Sequence, residues 1–148
     1  MTRKGAILPD EDHVVRYVPW ARLRKDEYDN VIGFLPQAFE LRMNEDSLSV
    51  SWLEYFNGDR EKQLHAVVKE LRNDRNLGKK SAFGVGKIEE IKRTCKDNNA
   101  RVRIVYEPGR NIKSHSSIRN LPRNDLKLLE ALAGEVFSEL IRNIDVPN

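Results

Sequence analysis

Apolar residues recur with a period of two at several points along the chain, the spacing of a half-buried strand. His13-Val14-Val15-Arg16-Tyr17-Val18 is rich in β-branched and aromatic residues and stops at Pro19, a strand signal with its terminator. Phe39 and Leu41 alternate with Glu40 and Arg42, which predicts a strand over 37–42. After the turn Asn44-Glu45-Asp46, Leu48, Val50 and Trp52 share one face of another strand. Ser81-Ala82-Phe83-Gly84-Val85 reads as a short strand, and Val102, Ile104 and Tyr106 alternate with charge over 101–106.

Three stretches carry helical spacing instead. Asp59 is placed to cap a helix running to about Asp74, with Leu64, Val67, Val68 and Leu71 on one face. Ile88, Ile91 and Cys95 continue the pattern up to Asp97-Asn98-Asn99. Leu126, Leu129, Leu132, Ala133, Val136, Phe137, Leu140 and Ile141 form a wide stripe, which predicts an amphipathic C-terminal helix from Asn124 to about Asn143. Residues 20–33 read as a charged loop or short helical turn, and 107–123 as a long loop containing Pro108, Gly109 and Pro122. Together these elements make an α+β (mixed α/β) domain, with a small sheet of about four to five short strands packed with about three helices.

The chain has 148 residues, 39% apolar and 33% charged, which suits one folded domain over 1–148 with a heavily solvated surface. Residues 1–11 read as a flexible N-terminal arm. The apolar stretch near the N-terminus, Ala6-Ile7-Leu8, is too short for the core of a secretory signal. No window approaches a membrane span. The expected compartment is the cytoplasm, with no membrane partner. A single cysteine, Cys95, excludes an internal disulfide and falls on a helical core stripe, where a thiol behaves as an inert apolar group.

The net charge of +3 is unevenly spread: residues 69–123 carry 15 Lys+Arg against 6 Asp+Glu, while both flanks are acidic. Such asymmetry suits either a polyanion-facing surface or a solvated face without a partner. The candidate phosphate contacts are Lys79, Lys80, Arg101, Arg103, Arg110, Lys113 and Arg119. Phe83 and Tyr106 are the only aromatic residues in the segment, so binding would be directed at the backbone rather than at stacked bases.

Candidate chemistry is sparse. There is no His-x-x-x-His, no cysteine pair and no acidic calcium loop, so neither a metal nor another cofactor is expected. No Gly-x-Ser-x-Gly elbow supports a serine hydrolase. Phe83-Gly84-Val85-Gly86-Lys87 has the outline of a phosphate-binding turn but lacks a third glycine, and tight strand-to-helix geometry is the competing explanation. The order of His13 and Arg16 on a first strand, Ser49 and Ser51 on a later one, then Glu54, resembles ADP-ribosyltransferase-like folds, in which such residues hold a nicotinamide dinucleotide. The competing reading has Arg16 in a salt bridge and Glu54 capping a helix through the box Ser51-Trp52-Leu53-Glu54. His115 lies on the long polar loop, where a solvated side chain is the competing reading; if His13, Arg16, Glu54 and His115 converge, it would serve as an acid–base group with Arg16 as anion holder.

Asp12-His13-Val14-Val15-Arg16, the string from Leu48 to Phe56 and the string from Ser114 to Pro122 resemble a family of small bacterial proteins. The resemblance implies a bacterial, stand-alone domain and carries no catalytic assignment. It points to His13, Arg16, Glu54 and His115 as residues worth testing. The first functional reading is an accessory interaction protein, binding a protein partner encoded nearby, DNA or RNA through 69–123, or both. The alternative is a small enzyme acting on a nucleotide or nucleic-acid end.

Overall fold

The computed structural model describes residues 2–148. Among these residues, eight strands and three α-helices follow in the order β1 (His13–Val18), β2 (Leu23–Lys25), β3 (Val31–Phe34), β4 (Ser47–Trp52), α1 (Arg60–Asp74), β5 (Ala82–Lys87), α2 (Ile88–Asp97), β6 (Arg103–Tyr106), β7 (His115–Arg119), α3 (Leu126–Ala131) and β8 (Glu139–Arg142). Six strands form one antiparallel sheet in the order β6-β7-β4-β1-β5-β8, and β2 pairs with β3 as a separate hairpin. The fold is α+β, but the sheet is larger than the sequence pattern predicts.

Two differences, at β8 and β7, enlarge the main sheet, and a third adds a hairpin outside it. The expected C-terminal helix ends at Ala131, passes through a π-helical turn at Leu132–Val136, and gives way to β8. There, β8 completes the ladder of β5 from Ala82↔Arg142 to Val85↔Glu139. A strand edge with unpaired backbone groups is satisfied by this pairing, and that gain outweighs the local helical spacing of Leu140 and Ile141. The expected long loop contains β7, whose Ser116 and Ser117 are buried between β4 and β6. The charged stretch 20–33 contains the β2–β3 hairpin.

Elsewhere the expected strand at 37–42 is a 3-10 turn, Pro36–Phe39, which buries Ala38 and Phe39 without ladder partners. The strand β6 begins at Arg103, which leaves Arg101 outside it. The N-terminal segment lies beside β6, with Gly5 N–H donating to the Tyr106 carbonyl and Leu8 N–H to that of Ile104, and Leu8 is buried. No α-helix among the described residues is long and apolar enough to cross a membrane.

Alternation along the strands divides the core between the two sheet faces. Val14, Val18, Leu48, Val50, Ile104 and Ile118 face α2, α3 and the hairpin, where Phe34, Phe39, Ile91, Leu128 and Phe137 complete the larger cluster. Val15, Phe83 and Val85 face Val67, Val68 and Leu71 of α1. Asp59 caps α1 by accepting from the Lys62 N–H at 2.9 Å. Gly84 and Gly86 do not form a phosphate turn. They sit within β5 opposite Arg16 and Val14, where a Cβ would come within 2.9 Å of the rings of Phe34 and Phe137 respectively. Glycine is needed there so that the two rings can lie on the strand.

Candidate anion-binding cleft

The main sheet is split. β1 pairs with β5 along its whole length, but with β4 only at Val14↔Trp52 and Val15↔Ser51. Beyond that pair the two strands part, and Arg16 occupies the gap. Its Nε donates to the Ala38 carbonyl at 3.0 Å and its Nη1 to the Ser49 carbonyl at 2.9 Å. Arg16 therefore makes main-chain hydrogen bonds where a salt bridge was expected. It bridges the main chain across the split and leaves Nη2 for another acceptor.

A cleft of about 320 Å³ opens from this split. Arg16, Arg22, Arg42 and Arg75 line it, with Glu45 as the only carboxylate among the described residues of the lining. Ser49, Ser51 and His115 add polar groups, and Val15, Tyr17, Leu71 and Ile112 give it apolar walls. Arg22 is held by donation from Nη1 to the Gln37 carbonyl at 3.0 Å, and Arg75 lies over the Tyr17 ring. Arg123 donates to the carbonyls of Arg42 and Glu45 and so fixes the turn that presents both residues. Burial lowers the pKa of Arg16 to about 10, and Arg22, Arg42 and Arg75 push it the same way against Glu45. The guanidinium stays charged at neutral pH, with burial the main cause of the shift and Glu45 the strongest single charge acting on it.

His115 enters the cleft from β7, opposite Ser51 of β4. Its Nδ1 lies 2.7 Å from the Glu107 carbonyl oxygen. A carbonyl only accepts, so Nδ1 carries the proton and the lone pair of the neutral ring is on Nε2. The loop before β7 is tied to α1 by Glu70, which accepts from the Lys113 and Ser114 N–H groups and from the Ser114 hydroxyl at 2.5 Å.

The four residues singled out from the sequence are divided. Arg16 and His115 share the cleft. His13 and Glu54 pair with each other outside its lining: Glu54 accepts from the His13 N–H at 2.7 Å and meets its Nδ1 at 2.6 Å. The Ser51–Glu54 capping box is absent, because Ser51 belongs to β4 and only a 3-10 turn, Leu53–Tyr55, follows. The ADP-ribosyltransferase-like arrangement of His13, Arg16, Ser49, Ser51 and Glu54 is therefore not assembled as one site.

None of the seven basic residues predicted from 69–123 lines the cleft. Lys79 and Lys80 precede β5, with Lys80 over the Trp20 ring at 5.2 Å. Arg103 and Arg119 face each other across β6 and β7, and Arg119 is paired with Glu107 at 2.7 Å. Arg101 precedes β6, while Arg110 and Lys113 are exposed between β6 and β7. Sequence reasoning missed Arg22, Arg42 and Arg75. They lie in separate stretches with no shared period, and no local signal links them to Arg16. No protein-family model, curated protein or solved structure matches the chain.

Proposed function

We propose that the protein is an accessory binding module whose cleft holds a phosphate-bearing ligand of nucleotide or nucleic-acid kind. The convergence of four arginines on one cleft, against one carboxylate, carries this reading. Guanidinium forks match phosphate oxygens in pairs, and partly buried ones act with little screening by solvent. The apolar walls beside them suit the sugar or base that accompanies a phosphate.

The test is fluorescence anisotropy with a labelled single-stranded oligonucleotide at two salt concentrations, on the wild type and on Arg22→Gln/Arg42→Gln. The expected result is binding that weakens steeply with salt and is reduced about tenfold or more in the double variant, as loss of phosphate contacts requires. Binding that ignores both salt and the double substitution would overturn the reading.

A further inference from the structure

The shape of the split says which kind of phosphate belongs in it. Where β1 and β4 remain joined, at Val15↔Ser51, the cleft has a closed apex. Leu71 and Ile112 wall it on the α1 side, and Pro19 and Ala38 line it elsewhere. It therefore widens toward one end of the sheet, the end where β1 finishes and β4 begins. Resting on the phosphate-binding reading above, we propose that its ligand is a terminal phosphomonoester, the phosphorylated end of a nucleic-acid strand or a nucleotide, rather than an internal phosphodiester.

Three observations support this choice. The first is topological. An internal phosphodiester needs a path for the chain to enter and another to leave, and the pairing at Val15↔Ser51 closes the split at one end, which favours a phosphate with chain on one side only. The second is charge. Four guanidiniums face one carboxylate, and a monoester brings about −1.5 to −2 at neutral pH where a diester brings about −1. The extra charge meets more of the repulsion that Arg16, Arg22, Arg42 and Arg75 exert on one another. The third is the surroundings of the mouth.

The strand register places a row of basic residues along the same end of the sheet. Arg103 at the start of β6 faces Arg119 at the end of β7, and Arg119 faces Ser47 at the start of β4. On the other side of the cleft, Val18 at the end of β1 faces Ala82 at the start of β5, just after Lys79 and Lys80. Neighbouring strands are about 4.8 Å apart, so these side chains stand one or two strand spacings from the mouth. A strand whose end is seated at Arg16 would have Arg103 on one side and Lys79 and Lys80 on the other beside the next phosphates, while Arg119 is held by Glu107. Of the basic residues of 69–123, Arg75 lines the cleft, and Lys79, Lys80, Arg103 and Arg119 flank it.

The experiment compares oligonucleotides of about eight nucleotides carrying a 5′-phosphate, a 3′-phosphate or neither, together with AMP and cyclic 3′,5′-AMP as competitors. A phosphate at one end should tighten binding by about tenfold or more, and AMP should displace the probe where cyclic AMP does not. Arg42→Gln/Arg75→Gln, at the exposed rim, should remove most of that preference. An oligonucleotide that outcompetes AMP identifies a strand end as the source; equal affinity identifies the free nucleotide, and both support the proposal. If all three oligonucleotides bind alike and AMP is no better than cyclic AMP, the terminal-phosphate proposal is overturned while phosphate binding stands. If nothing binds, the broader reading falls with it.

Discussion

The Nη1 of Arg16 donates to the carbonyl of Ser49 at 2.9 Å, across the gap where β1 and β4 stop pairing. One side chain thus does what a stretch of ladder would otherwise do, and it also lines the cleft.

Replacing Arg16 with Met should therefore affect stability as well as binding. The carbonyls of Ala38 and Ser49 would lose their donors, at a cost of about 1–3 kcal/mol for under-satisfied polar groups. Arg16→Lys should recover only part of this loss, because an ammonium cannot span two acceptors with a planar fork. Urea unfolding of the three proteins gives the ranking. Equal midpoints would show that water satisfies those carbonyls as well as Arg16 does.

Gly84→Ala should destabilise the fold, since the added methyl would meet the Phe34 ring at 2.9 Å. Overpacking of this kind costs about 1–3 kcal/mol. Phe34→Leu in the same chain should restore part of the loss, because the smaller side chain vacates the space above β5. Thermal midpoints of the single and double variants measure the coupling. A Gly84→Ala variant as stable as wild type would mean that the ring moves freely.

Glu107 provides a pH signature. Its carboxyl is held below the ordinary carboxylate range, first by the Ser117 hydroxyl donating at 2.6 Å and then by Arg119 at 2.7 Å. A depressed folded-state pKa means that the ionised form stabilises the fold. The contribution is fully present above the unfolded value of about 4 and is lost as pH falls through the lower folded value. The wild type should be more stable than Glu107→Gln at pH 7, by less than about 1 kcal/mol for this partly exposed group. The two should converge in acid. A difference that stays constant from about pH 7 to 3 would rule the ionised carboxylate out as its source.

Cys95 should resist thiol reagents in the folded protein. It is buried in α2, and burial pushes its pKa up to about 12, with Asp125 adding to the rise. No thiolate is then available at about pH 8, and labelling should follow the rate of unfolding. Rapid stoichiometric labelling of native protein would contradict the burial of Cys95 in α2.

Elements that depend on neighbours along the chain were legible in the order of the amino acids. Asp59 with Leu64, Val67, Val68 and Leu71 specified α1, and Ile88, Ile91 and Cys95 specified α2, because a cap and a helical stripe are complete within one segment. The β-branched run of β1 before Pro19 and the alternation of β4 and β6 were legible for the same reason. Tertiary structure alone decided β7, since a serine-rich stretch becomes a buried strand only when β4 and β6 supply its hydrogen bonds. It decided β8 as well, because Leu140 and Ile141 fit a helical stripe equally well until the open edge of β5 takes them. The cleft was the least legible feature. Arg16 and His115 carried a local signal, but Arg22, Arg42 and Arg75 come from stretches that meet only because β1 and β4 separate beyond Val15 and Ser51. Strand pairing is non-local, and a site formed where pairing stops leaves no period in the chain.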